Sequence, residues 1–228
     1  MKAMLLAAGR GERLRPLTDS LPKALVEAGG KPLIAWHLER LAAAGCREAV
    51  VNVSHLGGRI EETLGDGRRF GLRIAYSREP ERLETAGGIA QALPLLGARP
   101  FVLLNADVYC EFPLERLLGA DLGENLAHLV LVPNPEHRPK GDFSLADETV
   151  RSDGAPRYTY AGLAVVSPLL VQSVTRGQKA PLAPLLYAAA DAGRMTGELY
   201  QGLWEDVGTK ERLAKLEALL NNRRHGHR

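Results

Sequence analysis

Cysteine is nearly absent: Cys46 and Cys110 are the only two in 228 residues, and neither sits in a CxxC or metal-ligand spacing. That leaves no basis for a disulfide framework or a structural zinc site. No stretch approaches about 18 consecutive apolar residues, and residues 1–15 hold no apolar core followed by a cleavage site. Neither a membrane span nor a secretory leader is expected, and the cytoplasm is the expected location. Charge of one sign is also missing. The 29 Lys and Arg face 27 Asp and Glu, a formal net charge of +2. That balance gives no electrostatic reason to expect a nucleic-acid or membrane partner. No Ser-His-Asp or Cys-His arrangement is supported. His37, beside Trp36, reads as a packing or surface histidine, and His55, His128 and His137 share no ligand spacing. Chemistry that needs a protein nucleophile therefore has little support.

What is present suits one large α/β domain. A hydrophobic fraction of 45% supports a sizeable core, and 24 glycines with 14 prolines suit many loops. Short apolar runs at 3–7, 48–53, 72–77 and 101–104 read as strands. Helical patterns at 32–44, 58–64 and the later part of 85–96 lie between them. This alternation is the signature of a mostly parallel sheet covered on both faces. The expected fold is a Rossmann-like three-layer α/β sandwich. The second half is less regular. Runs at 128–132, 162–166 and 198–203 read as strands, and 142–145, 149–150 and 157–160 as short antiparallel strands. Helices are expected at 181–192 and 209–220, the last capped by Thr209. A single domain over residues 1–222 is expected, with 223–228 a frayed basic tail.

The opening MKAMLLAAGRGERLRPLTDSLPK carries the first functional signal. Gly9 and Gly11 follow the first strand at once, where open α/β sheets bind phosphates. Arg10, Arg13, Arg15 and Lys23 add long cationic side chains to the same run. A solvated turn with surface arginines is the bland alternative; so many features in one stretch favour a polyphosphate site. There is no GxxxxGK[ST], and GRGERL fails the dinucleotide fingerprint because Leu14 stands at the third glycine. Pro16 and Pro22 interrupt any prompt helix. The segment is expected to be a long irregular loop able to wrap a triphosphate.

Two acids stand where strands give way to loops. Asp107 ends the apolar FVLLNAD run, and Asp206 lies in WEDVGT. If both strands end on one edge of the sheet, the carboxylates can converge, and with phosphate oxygens they make a hard oxygen site suited to Mg²⁺. Each Asp could instead make a turn or cap a helix.

LAAGRGERLRPLTDSLPKAL at 6–25 with KPLI at 31–34, NADV at 105–108, WEDVGT at 204–209 and ETAGGI at 84–89 together resemble the motifs of the sugar-1-phosphate nucleotidylyltransferases. The resemblance covers nearly the whole chain. It implies that Leu6, Ala8, Gly9 and Gly11 shape the nucleotide pocket, with Asn105 beside them. Arg13 would bind the β- and γ-phosphates and Lys23 the α-phosphate and sugar phosphate. Glu84, Gly87 and Gly88 would lie near uracil and ribose, and Asp107 and Asp206 would hold Mg²⁺. Gly141 and Gly162 would leave room for the sugar. Ala86 and Ala106 stand where relatives often carry glycine. The length, the ETAGG segment and KGDFSL at 140–145 look most like members that join UTP to N-acetylmuramate α-1-phosphate in bacterial cell-wall recycling. Glucose- or mannose-1-phosphate enzymes using UTP, dTTP or GTP are the alternative, and a non-catalytic nucleotide sensor a further one. For the muramyl sugar, HRPKGDF would supply Arg138 and Lys140 to the lactyl carboxylate; an exposed hairpin whose cations meet only water is the rival reading. A monomer is expected, with a weak dimer as the alternative.

Overall fold

Strand β1 (Ala3–Leu6) lies inside a nine-stranded sheet and is buried on both faces. The structure, a computed structural model, describes residues 1–225. In the first half, β1 leads through a short helix α1 (Leu17–Ser20) and a small ladder of β2 (Glu27–Ala28) and β3 (Lys31–Pro32). Then α2 (Leu33–Ala43), β4 (Glu48–Val53), α3 (Gly57–Leu64), β5 (Arg73–Arg78), α4 (Glu84–Leu96) and β6 (Phe101–Asn105) follow. The second half comprises β7 (Val108–Cys110), α5 (Leu114–Leu118), β8 (Ala127–Val132), β9 (Phe143–Ala146), β10 (Thr149–Arg151) and β11 (Arg157–Val166). It closes with α6 (Ala183–Asp191), β12 (Met195–Leu199), β13 (Trp204–Asp206) and α7 (Lys210–His225).

The sheet order is β5-β4-β1-β6-β11-β8-β12-β10-β9. The first four strands are parallel, β11 runs antiparallel to β6 and β8, and β12 returns parallel to β8. The sheet is thus mixed, with the expected parallel half joined to an antiparallel half. Both faces are covered because each strand side chain alternates in direction. Ala3, Leu5, Val102, Leu104, Leu163 and Val165 enter the core under α2, α3 and α5. Met4, Phe101, Leu103, Ala164 and Val166 enter the opposite core under α4 and α6. A third, smaller core joins Leu14 of the opening loop and Val26 to Leu216 and Leu220 of α7.

Five elements differ from expectation. The runs at 157–160 and 162–166 form one strand, β11, with a bulge between Tyr160 and Ala164. The opening loop is not irregular throughout: 3₁₀ turns at Glu12–Leu14 and Lys23–Leu25 flank α1. Helix α4 begins at Glu84, so both of its glycines lie inside the helix. The expected strand at 198–203 is two strands. The chain leaves β8 after Leu199, and β13 pairs with β7 instead, with Trp204 Nε1 donating to the Ala161 carbonyl at 2.9 Å. Helix α7 continues past Leu220 to His225, and Arg223 pairs with Glu111; residues 226–228 of the expected tail lie outside the described residues. No described helix is long and apolar enough to cross a membrane.

Candidate active site

The C-terminal ends of β1, β4 and β6 open into a cleft of about 250 Å³. Leu6 lines it from the end of β1, Ala8 and Gly9 from the glycine loop, Asn105 and Asp107 from the end of β6 and the turn after it, and Glu84 from the start of α4. Lys23 enters from the side and forms an ion pair with Asp107 Oδ2. The Lys23 side chain is only 12% exposed, whereas Asp107 is 35% exposed. A half-buried ammonium aimed at a carboxylate at the cleft floor is a fixed charge, not a surface lysine.

The loop geometry explains why Lys23 points inward. Gly11 has φ 67, a left-handed conformation that glycine adopts without a steric penalty. A Cβ there would lie 2.9 Å from Thr18 Cγ2 and 3.0 Å from Lys23 Cβ. Thr18 Oγ1 donates to the Gly11 carbonyl at 2.8 Å, closing the loop. Gly11 therefore places the lysine from outside the cleft lining.

The wall of the cleft is braced by two residues that sequence reasoning missed. Asn52 Oδ1 accepts the Ala7 N–H at 2.7 Å, and Asn52 Nδ2 donates to Glu79 Oε1 at 2.7 Å. Glu79 Oε2 then accepts the Leu83 N–H at 2.9 Å. This buried chain ties the glycine loop to the start of α4. One signal was available: Asn52 is the polar residue deep in the apolar run EAVVNV. Gly88 makes room for that chain, since a Cβ would fall 2.6 Å from Glu79 Oε1. Gly87 faces a different neighbour, the Gln178 carbonyl, 2.3 Å from its missing Cβ. Ala86 and Gly87 both donate N–H groups to the Ala180 carbonyl, at 2.9 and 3.1 Å. Both glycines thus shape the wall from behind and are not brought to the cleft surface. Glu84 is, and its φ of 60 is rare for a residue with a side chain.

Asp206 lies beside Asp107 through a local pairing. Strands β7 and β13 run antiparallel with Asp206 opposite Val108, and the Val207 N–H donates to the Asp107 carbonyl at 2.8 Å. Asp206 pairs with Arg212 and with His137 Nε2, the latter at 3.2 Å. Arg13 is exposed and sends Nη2 to within 3.0 Å of where a Gly208 Cβ would fall. Beneath the turn between β6 and β7, His37 is buried, with Nε2–H donating to the Val108 carbonyl at 2.6 Å. Burial lowers its pKa to about 4, so the ring is neutral at ordinary pH. His37 is therefore a packing histidine with no surface role.

Two carboxylates, each already neutralised by a cation, form a donor set that suits Mg²⁺. That ion is commonly held by one or two carboxylates plus substrate phosphates and water. Among the described residues no group of three or more His, Cys, Asp or Glu forms a metal cluster.

The residues expected on the sugar side are dispersed. Gly162 has φ 77 at the bulge in β11, and its missing Cβ would fall 2.7 Å from Asn105 Nδ2. It makes room for Asn105, not for a ligand directly. Gly141 packs on the β11 backbone, 2.9 Å from the Tyr158 nitrogen by the same measure. Lys140 is exposed. Arg138 pairs with Asp142 at 3.3 Å and borders a second cavity of about 360 Å³. That cavity also touches Glu84, Thr85 and Asn105, and so adjoins the first. Its wall includes Phe143, Leu182 and Tyr160, whose buried hydroxyl has no hydrogen-bond partner among the described residues.

The cleft thus brings a glycine loop at the carboxyl ends of parallel strands to a half-buried lysine paired with Asp107, and the backbone of Asp206 runs beside that aspartate just outside the lining. The family model for nucleotidyl transferases matches residues 2–143. The chain belongs to that family and is an enzyme of the sugar-1-phosphate nucleotidylyltransferase type. It is 50% identical over 226 residues to the N-acetylmuramate alpha-1-phosphate uridylyltransferase of Neisseria meningitidis serogroup B, covering 96% of this chain and 98% of the relative. It is 30% identical to mannose-1-phosphate guanyltransferase beta-B of Xenopus laevis, over 100% of this chain and 67% of that protein. Among solved structures, a Bacillus anthracis protein provisionally assigned as a glucose-1-phosphate thymidylyltransferase superposes with a TM-score of 0.85 at 18% identity. That match covers 96% of this chain and 95% of the other and supports the fold.

Proposed function

We propose that the enzyme joins UTP and N-acetylmuramate α-1-phosphate, releasing pyrophosphate and forming UDP-N-acetylmuramate, a step of peptidoglycan recycling in the cytoplasm. The observation that carries the chemistry is the half-buried Lys23–Asp107 pair at the floor of the glycine-loop cleft. A phosphate oxygen of the sugar phosphate attacks the α-phosphorus of UTP in line. The new P–O bond forms as the bond to the bridging oxygen of the β-phosphate breaks, and the electron pair leaves with pyrophosphate. No covalent enzyme intermediate is required.

Lys23 would stabilise charge on the α-phosphate oxygens, and Arg13 charge on the leaving phosphates. Their strength comes from pointing there before reaction begins. Asp107 and Asp206 would hold Mg²⁺, which when bound offsets the repulsion between the two phosphates. Leu6, Ala8 and Gly9 would offer backbone groups to the base and phosphates, with Glu84 and Asn105 facing the uridine. Gly11, Gly87 and Gly88 serve the same pocket indirectly, through loop and wall packing.

The second cavity supports the sugar assignment. It adjoins the phosphate cleft, has apolar walls for methyl groups, and carries a Tyr160 hydroxyl, unpartnered among the described residues, that could donate to the acetamido or lactyl group. Arg138 at its border is a partner for the lactyl carboxylate, with Asp142 released in exchange. Lys140 would add charge from outside, and Gly162 would act through Asn105. A panel of nucleoside triphosphates crossed with sugar 1-phosphates, read by pyrophosphate release, tests the whole proposal. Highest turnover with UTP and the muramyl phosphate is expected; a preference for mannose 1-phosphate with GTP would replace it.

A further inference from the structure

Arg212 is the cation at this site that the sequence motifs do not contain. It sits in the first turn of α7, and its backbone N–H reaches Thr209 Oγ1 at 3.4 Å. Its side chain is only 14% exposed. Nη1 pairs with Asp206 Oδ1 and reaches His137 Nε2 at 2.7 Å. Nη2 lies 2.2 Å from where a Gly208 Cβ would fall, and Arg13 Nη2 lies 3.0 Å from that same point. Two guanidinium groups therefore converge over one glycine. Among the described residues Arg13 makes no ion pair, and Arg212 pairs with Asp206 alone. Like charges held this close signal a site for an anion with more than one charge, and arginine's planar fork suits phosphate oxygens.

We propose that Arg212 is a second phosphate-binding residue that occupies the Asp206 carboxylate in the free enzyme. When a divalent ion claims that carboxylate, Arg212 turns to the leaving pyrophosphate beside Arg13. The proposal rests on the phosphoryl-transfer reading above. It has two opposed consequences. Arg212 competes with metal in the free enzyme, yet it helps hold pyrophosphate in the loaded one. A residue that merely braces α7 would produce neither.

The test compares Arg212→Gln and Arg212→Lys with the unmodified enzyme. Mn²⁺ binding without nucleotide is measured by calorimetry, and pyrophosphate affinity by inhibition of the forward reaction. Arg212→Gln should bind Mn²⁺ at least about threefold tighter and pyrophosphate about ten- to a hundred-fold weaker, the worth of a charge-assisted hydrogen bond. Arg212→Lys should fall between, since it keeps the charge and loses the fork; where Arg212→Gln does not fold, that variant supplies the same two readings. Unchanged pyrophosphate affinity, or weaker Mn²⁺ binding, in a folded variant would overturn the proposal. Pyrophosphate failing to inhibit the unmodified enzyme would overturn the phosphoryl-transfer reading along with it.

Discussion

Lys23 and His37 both meet the turn between β6 and β7, Lys23 at the Asp107 carboxylate and His37 at the Val108 carbonyl. Lys23 is held in the cleft by Asp107 and by a loop folded tightly at Gly11. Lys23→Ala should lower kcat by at least about a hundredfold while changing UTP affinity little, as for a contact made mainly in the transition state. Steady-state kinetics beside equilibrium UTP binding separates the two effects; near-normal kcat would reduce Lys23 to a structural cation. His37 is kept neutral by burial, with Arg40 opposing protonation and Asp107 favouring it weakly. Its folded pKa of about 4 lies below the unfolded value of 6.5. The unfolded chain therefore binds the extra proton first. Stability is lost as pH falls from about 6.5 towards 4, by up to roughly 3 kcal/mol. Denaturant melts across that range should be flatter in His37→Gln, provided the variant folds, and an equally steep profile would assign the loss to other groups. Gly162→Ala pushes a methyl into Asn105 and forces φ 77 on alanine. It should cost about 1–3 kcal/mol of stability and lower kcat/KM through the displaced Asn105, measurable by thermal melts and kinetics together.

At the level of elements, the parallel half of the sheet was legible because its strands are short apolar runs separated by helical patterns. The runs FVLL and AMLL are buried on both faces and carry no competing periodicity. The antiparallel pairing of β7 with β13 was not legible. Each is only three residues long, and a pairing across almost a hundred residues leaves no local mark. Yet that ladder is what sets Asp206 beside the Asp107 turn. The glycines of ETAGGI were legible as special but not for the right reason. Gly87 admits the Gln178 carbonyl and Gly88 admits Glu79, so their purpose appears only when residues 178–180 and Glu79 are in place. Gly87→Ala should therefore detach the 178–180 segment from α4. A loss of about 1–3 kcal/mol in stability is expected, with a raised KM for UTP, because Glu84 lies at the same helix end. Unchanged melting and KM would mean the segment moves aside freely.

Across the whole molecule, two cores fix a rigid sheet, and a third fastens the opening loop to α7. This arrangement brings the opening loop and the closing helix together, with Arg13 and Arg212 meeting over Gly208. Lys23, Asp107 and Asp206 stood out in the sequence because each is a charged residue where a strand or loop motif ends, and the structure brings Lys23 and Asp107 to one cleft. Arg212, Glu79 and the Tyr160 hydroxyl, without a partner among the described residues, did not stand out, since each acquires meaning only through neighbours distant in sequence. Uridylyl transfer to the muramyl sugar phosphate is tested most directly by kcat/KM for N-acetylmuramate α-1-phosphate against N-acetylglucosamine 1-phosphate, with UTP and Mg²⁺. One desolvated carboxylate–cation contact corresponds to a preference of about ten- to more than a hundredfold for the muramyl substrate, diminished in the Arg138→Gln, Lys140→Gln double variant. Equal kcat/KM for the two sugars in the unmodified enzyme would contradict the assignment.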